Sequence, residues 1–226
     1  MLADHAAIML FPDILILRYI GRLALPIFAF MVAEGVLHTR SRVKYFLRIF
    51  ILAVICQAAY TIFELVSGTF AGVYLNTLFT LSFGILLCMA FLNAKADPKK
   101  TWVLILAVLL LAASYVFCEQ PVGGMVPAVK LCGFSITYDY NFMGAVLPVT
   151  ALITLRKPWR FVCFGAGLVL LSLQGMRSMP YQWVCLAALI LLWFYNGKRG
   201  KANLKYFFYI FYPVHLLVLE GISFLM

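Results

Sequence analysis

Two histidines, two arginines and a few carboxylates stand in otherwise apolar sequence, and their types suit proton transfer. Asp4 and His5 are adjacent, Arg18 and Arg22 are four residues apart, and His215 follows Pro213 near the other end. Histidine takes and returns a proton near neutrality. A guanidinium stays charged and holds a developing oxyanion or a phosphate. A carboxylate orients an imidazole, and Asp139 is the expected partner for that role. Asn76 and Thr80 share a helix face, and Tyr140 and Asn141 follow Asp139; these four are the expected substrate-binding groups. Such a set fits acyl transfer, and it also fits a substrate vestibule without chemistry. Neighbours on a helix point about 100° apart, so Asp4 and His5 cannot pair with each other. Each needs a partner from elsewhere. The plainer alternatives are a backbone carbonyl for His5, lipid headgroups for the arginines, and a Pro213 kink filled by His215.

The elements that position these residues follow from composition. The 226-residue chain is 65% hydrophobic and 12% charged, against about 25% charged for a soluble domain. The bilayer must serve as its solvent, and each span must satisfy its own backbone as a helix. The expected fold is all-α, a single-domain polytopic transmembrane helix bundle. Fourteen of the eighteen Lys and Arg residues fall in four short stretches, 40–48, 95–100, 156–160 and 198–205. These alternate with loops almost free of them, the positive-inside pattern. About nine spans follow, near 1–12, 17–37, 43–65, 74–94, 101–119, 139–156, 160–176, 181–196 and 204–225. The basic loops then face the cytoplasm of a bacterial inner membrane, and the carboxyl terminus lies outside. His5, Arg18, Arg22, Asn76, Thr80, Asp139 and His215 all fall in the outer half. The net charge of +10 is explained by loop retention and lipid contact, so nucleic acid is not an expected partner.

Other signals are smaller. The first span has only about eleven residues before Pro12, too few for a hydrocarbon core of about 30 Å, so an upstream start is expected, with a half-span as the alternative. The six cysteines show no zinc spacing, and no metal is expected. Cys118 and Cys132 flank the one long outer loop and are read as free thiols, with a disulfide as the alternative. Glu34 is expected to pair with Arg40 or Lys44. The basic rim of Arg40, Arg42, Lys44, Lys198 and Arg199 either sets topology alone or also holds the phosphates of coenzyme A.

Four stretches carry a family resemblance. They are Asp4-His5 before Phe11-Pro12; RYIGRLALPIFAFMVAEGVLHTRSRVKYFLR from Arg18 to Arg48; Asn76-Thr77-Leu78-Phe79-Thr80-Leu81; and Tyr195-Asn196-Gly197-Lys198-Arg199-Gly200 running into KYFFYIFYPVHLLVL. Together they resemble the TraX family of integral membrane proteins, which includes conjugal-transfer proteins linked to acetylation of the pilin amino terminus. The family is distantly similar to membrane acyltransferases that modify surface sugars. The resemblance implies cytoplasmic acetyl-CoA as donor and an amine or hydroxyl acceptor on a protein or sugar. It makes His5 the expected catalytic base, assisted by His215, with Asp4, Arg18 and Arg22 in the same machinery. A proton-coupled or small-molecule transporter is the alternative, and a noncatalytic assembly subunit is a third reading.

Overall fold

The computed structural model describes residues 1–68, 73–119, 136–138, 140–175, 180–198 and 205–225. The order is α1 (Leu2–Met9), α2 (Leu15–Gly21), α3 (Ala24–His38), α4 (Arg42–Ser67), β1 (Val73–Leu75), α5 (Thr77–Ala96), α6 (Thr101–Glu119), β2 (Ile136–Tyr138), α7 (Asn141–Thr150), α8 (Lys157–Gly175), a 3₁₀ helix (Pro180–Ala187), α9 (Ala188–Trp193) and α10 (Lys205–Leu225). The architecture is an all-α helical bundle. Leu15–His38, Arg42–Ser67 and Thr77–Ala96 are long and apolar enough to cross a bilayer; Tyr181–Trp193 and Tyr209–Leu225 are shorter apolar helices.

Helix positions follow the expected spans, with local differences. The span expected at 17–37 breaks into α2 and α3, where Arg22 N–H donates to the Arg18 and Tyr19 carbonyls in a tightened last turn. The span expected at 139–156 is helical only over Asn141–Thr150, with Pro148 inside it. The stretch expected as one helix at 181–196 begins as eight residues of 3₁₀ helix. Two short strands also form, β2 in an expected loop and β1 from the edge of a loop into the first two residues of the span expected at 74–94. Val73, Tyr74 and Leu75 pair in parallel with Ile136, Thr137 and Tyr138. Both triplets are rich in β-branched and aromatic residues, which suit extended backbone.

The chain divides into two units, Met1–Phe28 with Leu168–Met226, and Ala29–Gly167. In the first, α1 packs against α2 and α10, and α2 meets the 3₁₀ helix. A methyl group at Gly21 would overlap the Asp4 side chain, so the missing side chain lets α1 lie directly on α2. In the second unit α5 is central, packed against α4, α6 and α7. Gly84 admits Pro148, whose Cγ lies 2.9 Å from where a Cβ would stand. Leu87, Leu111 and Ala145 form a core there. Little of α4 is buried; it exposes Leu47, Ile51, Val54, Ile55 and Ile62, a lipid-suited face. Ser41 caps its start by accepting from Lys44 N–H, and Gly68 ends it at φ 72°.

Candidate functional site

The first unit gathers the charged and titratable residues of α1, α2 and α10. Asp4 and His5, neighbours on α1, diverge to separate partners as their spacing requires. Arg18 Nη1 donates to Asp4 Oδ1 at 2.8 Å, and Arg22 Nη2 donates to the same oxygen at 3.4 Å. Both arginines reach it because a four-residue step keeps them on one face. Asp4 and Arg22 are buried, so their pairing occurs away from water.

The 3₁₀ helix completes this cluster. Arg18 Nε and Nη2 donate to Tyr181 Oη at 3.3 and 2.9 Å. The guanidinium carbons of Arg18 and Arg22 lie 5.5 and 5.4 Å from the centre of the Tyr181 ring, within cation–π range. Arg22 Nη1 donates to Gln182 Oε1 at 3.4 Å. Three residues per turn set Gln182 and Cys185 on one ridge, and Cys185 Sγ lies 3.4 Å from Ser172 Oγ.

His5 faces the other way, to α10. Its Nδ1 lies 3.0 Å from His215 Nε2, and His215 Nδ1 lies 2.8 Å from the Phe211 carbonyl oxygen. The carbonyl can only accept, so His215 Nδ1 carries a proton. In a neutral pair His215 Nε2 then accepts, and His5 Nδ1 is the donor. The tautomers follow from this network, and they leave the lone pair of His5 on Nε2, which makes no hydrogen bond among the described residues. The two imidazole planes differ by only 11°, with centroids 5.2 Å apart. That separation suits an in-plane hydrogen bond and exceeds a close face-to-face stack. Phe211 stacks on His215 at 4.9 Å and Tyr212 meets it edge-on at 5.5 Å, which holds the second ring.

Five of the six expected catalytic residues therefore meet within one unit, in two linked pairings on neighbouring positions of α1: Asp4 with Arg18 and Arg22, and His5 with His215. The sixth, Asp139, lies outside the described residues. The four expected substrate-binding residues belong to the other unit. Asn76 caps α5, accepting from Leu78 N–H at 3.0 Å, and its Nδ2 donates to the Ala53 carbonyl and to Gln57 Oε1. Thr80 is buried on the same helix. Tyr140 sits at φ 60° ahead of α7. Asn141 opens that helix, and its side chain is outside the described set. Of the basic rim, Arg40 and Lys44 are exposed, and Arg42 Nε donates to the Val36 carbonyl at 3.3 Å. Lys198 is exposed and turns its N–H to Asn196 Oδ1; Arg199 is not described. Glu34 departs from expectation. Its partners are Arg160 and His38 rather than Arg40 or Lys44, because α8 brings Arg160 over the Phe30 ring one turn away.

Comparison with known proteins now decides the family. The model of the family described as TraX protein matches residues 1–223. The chain belongs to the TraX family. It is similar to a probable fimbrial assembly protein FimC, serogroup H1, from Dichelobacter nodosus, at 26% identity over 227 residues, which is 96% of this chain and 88% of that relative. No solved structure matches.

Within this TraX chain, sequence reading missed Tyr181 and Gln182, which complete the arginine cluster. A Tyr-Gln pair at the start of an apolar stretch is a weak signal, since an interfacial tyrosine is ordinary at a membrane surface. Their contact with Arg18 and Arg22 spans about 160 positions of sequence, which periodicity does not encode. Among the described residues no group of three or more His, Cys, Asp or Glu is arranged to hold a metal ion.

Proposed function

We propose that this TraX chain is an integral membrane acetyltransferase, moving an acetyl group from cytoplasmic acetyl-CoA to an amine or hydroxyl acceptor, a protein amino terminus or a glycan. The observation that carries the reading is the free lone pair of His5 Nε2, oriented through His215 by the Phe211 carbonyl. A general base must keep a nitrogen open within hydrogen-bond reach of the proton it removes.

In this reaction His5 Nε2 removes the proton of the acceptor amine or hydroxyl as its lone pair attacks the thioester carbon. The negative charge moves to the carbonyl oxygen, where the half-buried Arg18 offers a fixed cation. Collapse breaks the carbon–sulfur bond, and His5 returns its proton to the departing thiolate. His215 spreads the imidazolium charge through its hydrogen bond. Arg40, Arg42, Lys44, Lys198 and Arg199 supply phosphate-binding charge for coenzyme A on the cytoplasmic side. The chain is multi-pass in the bacterial inner membrane with its carboxyl terminus outside, as the alternation of basic loops supports.

The test is thioester cleavage. Purified protein in lipid nanodiscs, given labelled acetyl-CoA and a membrane extract containing the acceptor, should release free coenzyme A and label the acceptor. A transporter would move its substrate without releasing coenzyme A, and absence of release would remove the proposal.

A further inference from the structure

The unit of Ala29–Gly167 fastens two basic stretches together. One runs from the end of α5 into α6 and carries Lys95, Lys99 and Lys100; the other runs from α7 into α8 and carries Arg156 and Lys157. Lys95 Nζ donates to the Ile153 carbonyl at 3.4 Å, which ties the first stretch to the second. Arg160 Nε donates to the Ala151 carbonyl at 2.8 Å and its guanidinium pairs with Glu34, so the second stretch is also held from α8. These two cations are used inside the unit. The two stretches share one carboxylate, Asp97, and it is engaged locally: Oδ1 accepts from Lys99 N–H at 3.1 Å, and Oδ2 lies 3.9 Å from Lys100 Nζ. Lys99 and Arg156 are exposed, and the ammonium of one and the guanidinium of the other make no hydrogen bond or ion pair among the described residues. Each is followed three residues later by an exposed indole, Trp102 at 63% and Trp159 at 61% exposure. The sequence around them repeats, Lys99-Lys100-Thr101-Trp102 at the start of α6 and Arg156-Lys157-Pro158-Trp159 at the start of α8. A three-residue step sets cation and ring on one side of a helix start.

We infer that Lys99 and Arg156, flanked by Trp102 and Trp159, hold the headgroup of an anionic phospholipid in the leaflet that the basic loops face. Retention of a loop on one side of a membrane needs only charge. It does not need two like-charged stretches fastened to each other, nor an indole repeated at the same step from each cation. A phosphodiester matches the guanidinium fork with two oxygens, and the ammonium adds a compact point charge. Indoles settle at headgroup level, with the ring in apolar surroundings and the N–H toward the polar layer. Beyond the tryptophans, α6 exposes Ile105, Leu106 and Leu109 and α8 exposes Val162, surfaces suited to acyl chains. A soluble phosphate would meet the two cations and leave the indoles and this apolar surface unused, so a lipid fits better. The bound lipid would fix the depth at which α6 and α8 begin. These residues are separate from the rim assigned to coenzyme A, and the inference needs only the membrane reading, not acyl transfer.

Native mass spectrometry tests this without acetyl-CoA present. Full-length protein in neutral detergent is equilibrated with equal amounts of phosphatidylglycerol and phosphatidylcholine, and the retained lipids are counted. Wild type should retain phosphatidylglycerol in preference. A cation at headgroup level favours an anionic lipid by about fivefold, so Lys99→Gln with Arg156→Gln should lower the preference by about twentyfold or more. Both positions are exposed; if the double variant still fails to fold, Lys99→Gln alone should lower it by about fivefold. Lys44→Gln with Arg48→Gln removes the same charge from an exposed stretch of α4 that has no neighbouring tryptophan, and it should keep most of the preference. Trp102→Leu with Trp159→Leu leaves the cations in place and should lower retention of phosphatidylglycerol severalfold. Equal losses in the two charge variants would reduce the effect to general attraction and overturn the inference. Equal retention of both lipids by wild type would overturn it as well. So would displacement of the lipid by millimolar glycerol phosphate, which would make the ligand a soluble phosphate.

Discussion

Both units bury polar side chains, but they complete them differently. In the unit of Ala29–Gly167, Ser82, Arg160 and Asn76 are tied to neighbours within the unit. Ser82 Oγ donates to the Leu78 carbonyl at 2.7 Å. Arg160 Nε donates to the Ala151 carbonyl at 2.8 Å, its guanidinium lies 4.5 Å from the Phe30 ring centre, and it pairs with Glu34. Asn76 uses its oxygen and its nitrogen on neighbours. In the unit containing both termini, one titratable group is left open: His5 Nε2 keeps a lone pair among the described residues. Burial of a polar group at membrane depth therefore does not by itself mark function. What marks it is valence left over once the neighbours have been served.

The largest effect should come from removing the open lone pair. His5→Ala should lower acetyl transfer by about 10² to 10⁴, the usual worth of a general base, while the protein still inserts. A rate unchanged in the purified variant would end the difference drawn between the units. His215 refines the point, since its assigned role is to accept from His5 Nδ1. A glutamine can accept there and a leucine cannot. His215→Leu should reduce kcat by about a hundredfold and His215→Gln by about tenfold, with KM for acetyl-CoA little changed. Equal losses in the two variants would reduce His215 to a packing residue.

Much of this division was legible in the sequence. Hydropathy and the clustering of Lys and Arg located the helices, because a bilayer leaves a span few other ways to satisfy its backbone. Adjacency separated Asp4 from His5, and the four-residue step placed Arg18 and Arg22 together; both pairings appear in the structure. What the sequence did not reveal is which buried polar groups stay local. Asn76 and Thr80 have the types of a binding site, yet Asn76 is spent on a helix cap and a neighbouring carbonyl. Glu34 had nearby basic residues in sequence, yet its partner Arg160 comes from a distant helix. Such choices depend on how helices pack, and periodicity fixes only the face that packs. The short parallel pair of β1 and β2 lay hidden for the same reason.

The second unit offers the converse test, a stability loss without an activity loss. The Glu34–Arg160 pair is buried, with side chains 10% and 13% exposed. Arg160→Met would take from the Glu34 carboxylate its guanidinium partner, a loss of up to about 3–5 kcal/mol. Unfolding in nanodiscs should show that loss, while coenzyme A release per folded molecule stays at the wild-type level. Adding Glu34→Gln to the same protein should recover much of the stability, since the carboxylate that lost its guanidinium is then gone. A fall in turnover that tracks neither unfolding nor its recovery would give this pair a role in the reaction.

The smallest effect separates the two readings of Asn76. If its place is structural, Asn76→Ala removes an α5 cap and two donated hydrogen bonds, worth about 1–2 kcal/mol together. Asn76→Asp keeps the oxygen that accepts from Leu78 N–H but turns a second oxygen toward the Ala53 carbonyl and Gln57 Oε1. That variant should be the less stable of the two, because repulsion replaces donation while the cap survives. A substrate contact predicts a different order. Alanine would raise KM for the acceptor at unchanged stability, and aspartate would alter it according to the acceptor's charge. Unfolding midpoints for the two variants, set beside their KM values, therefore decide whether a polar group completed within its own unit can still serve a ligand.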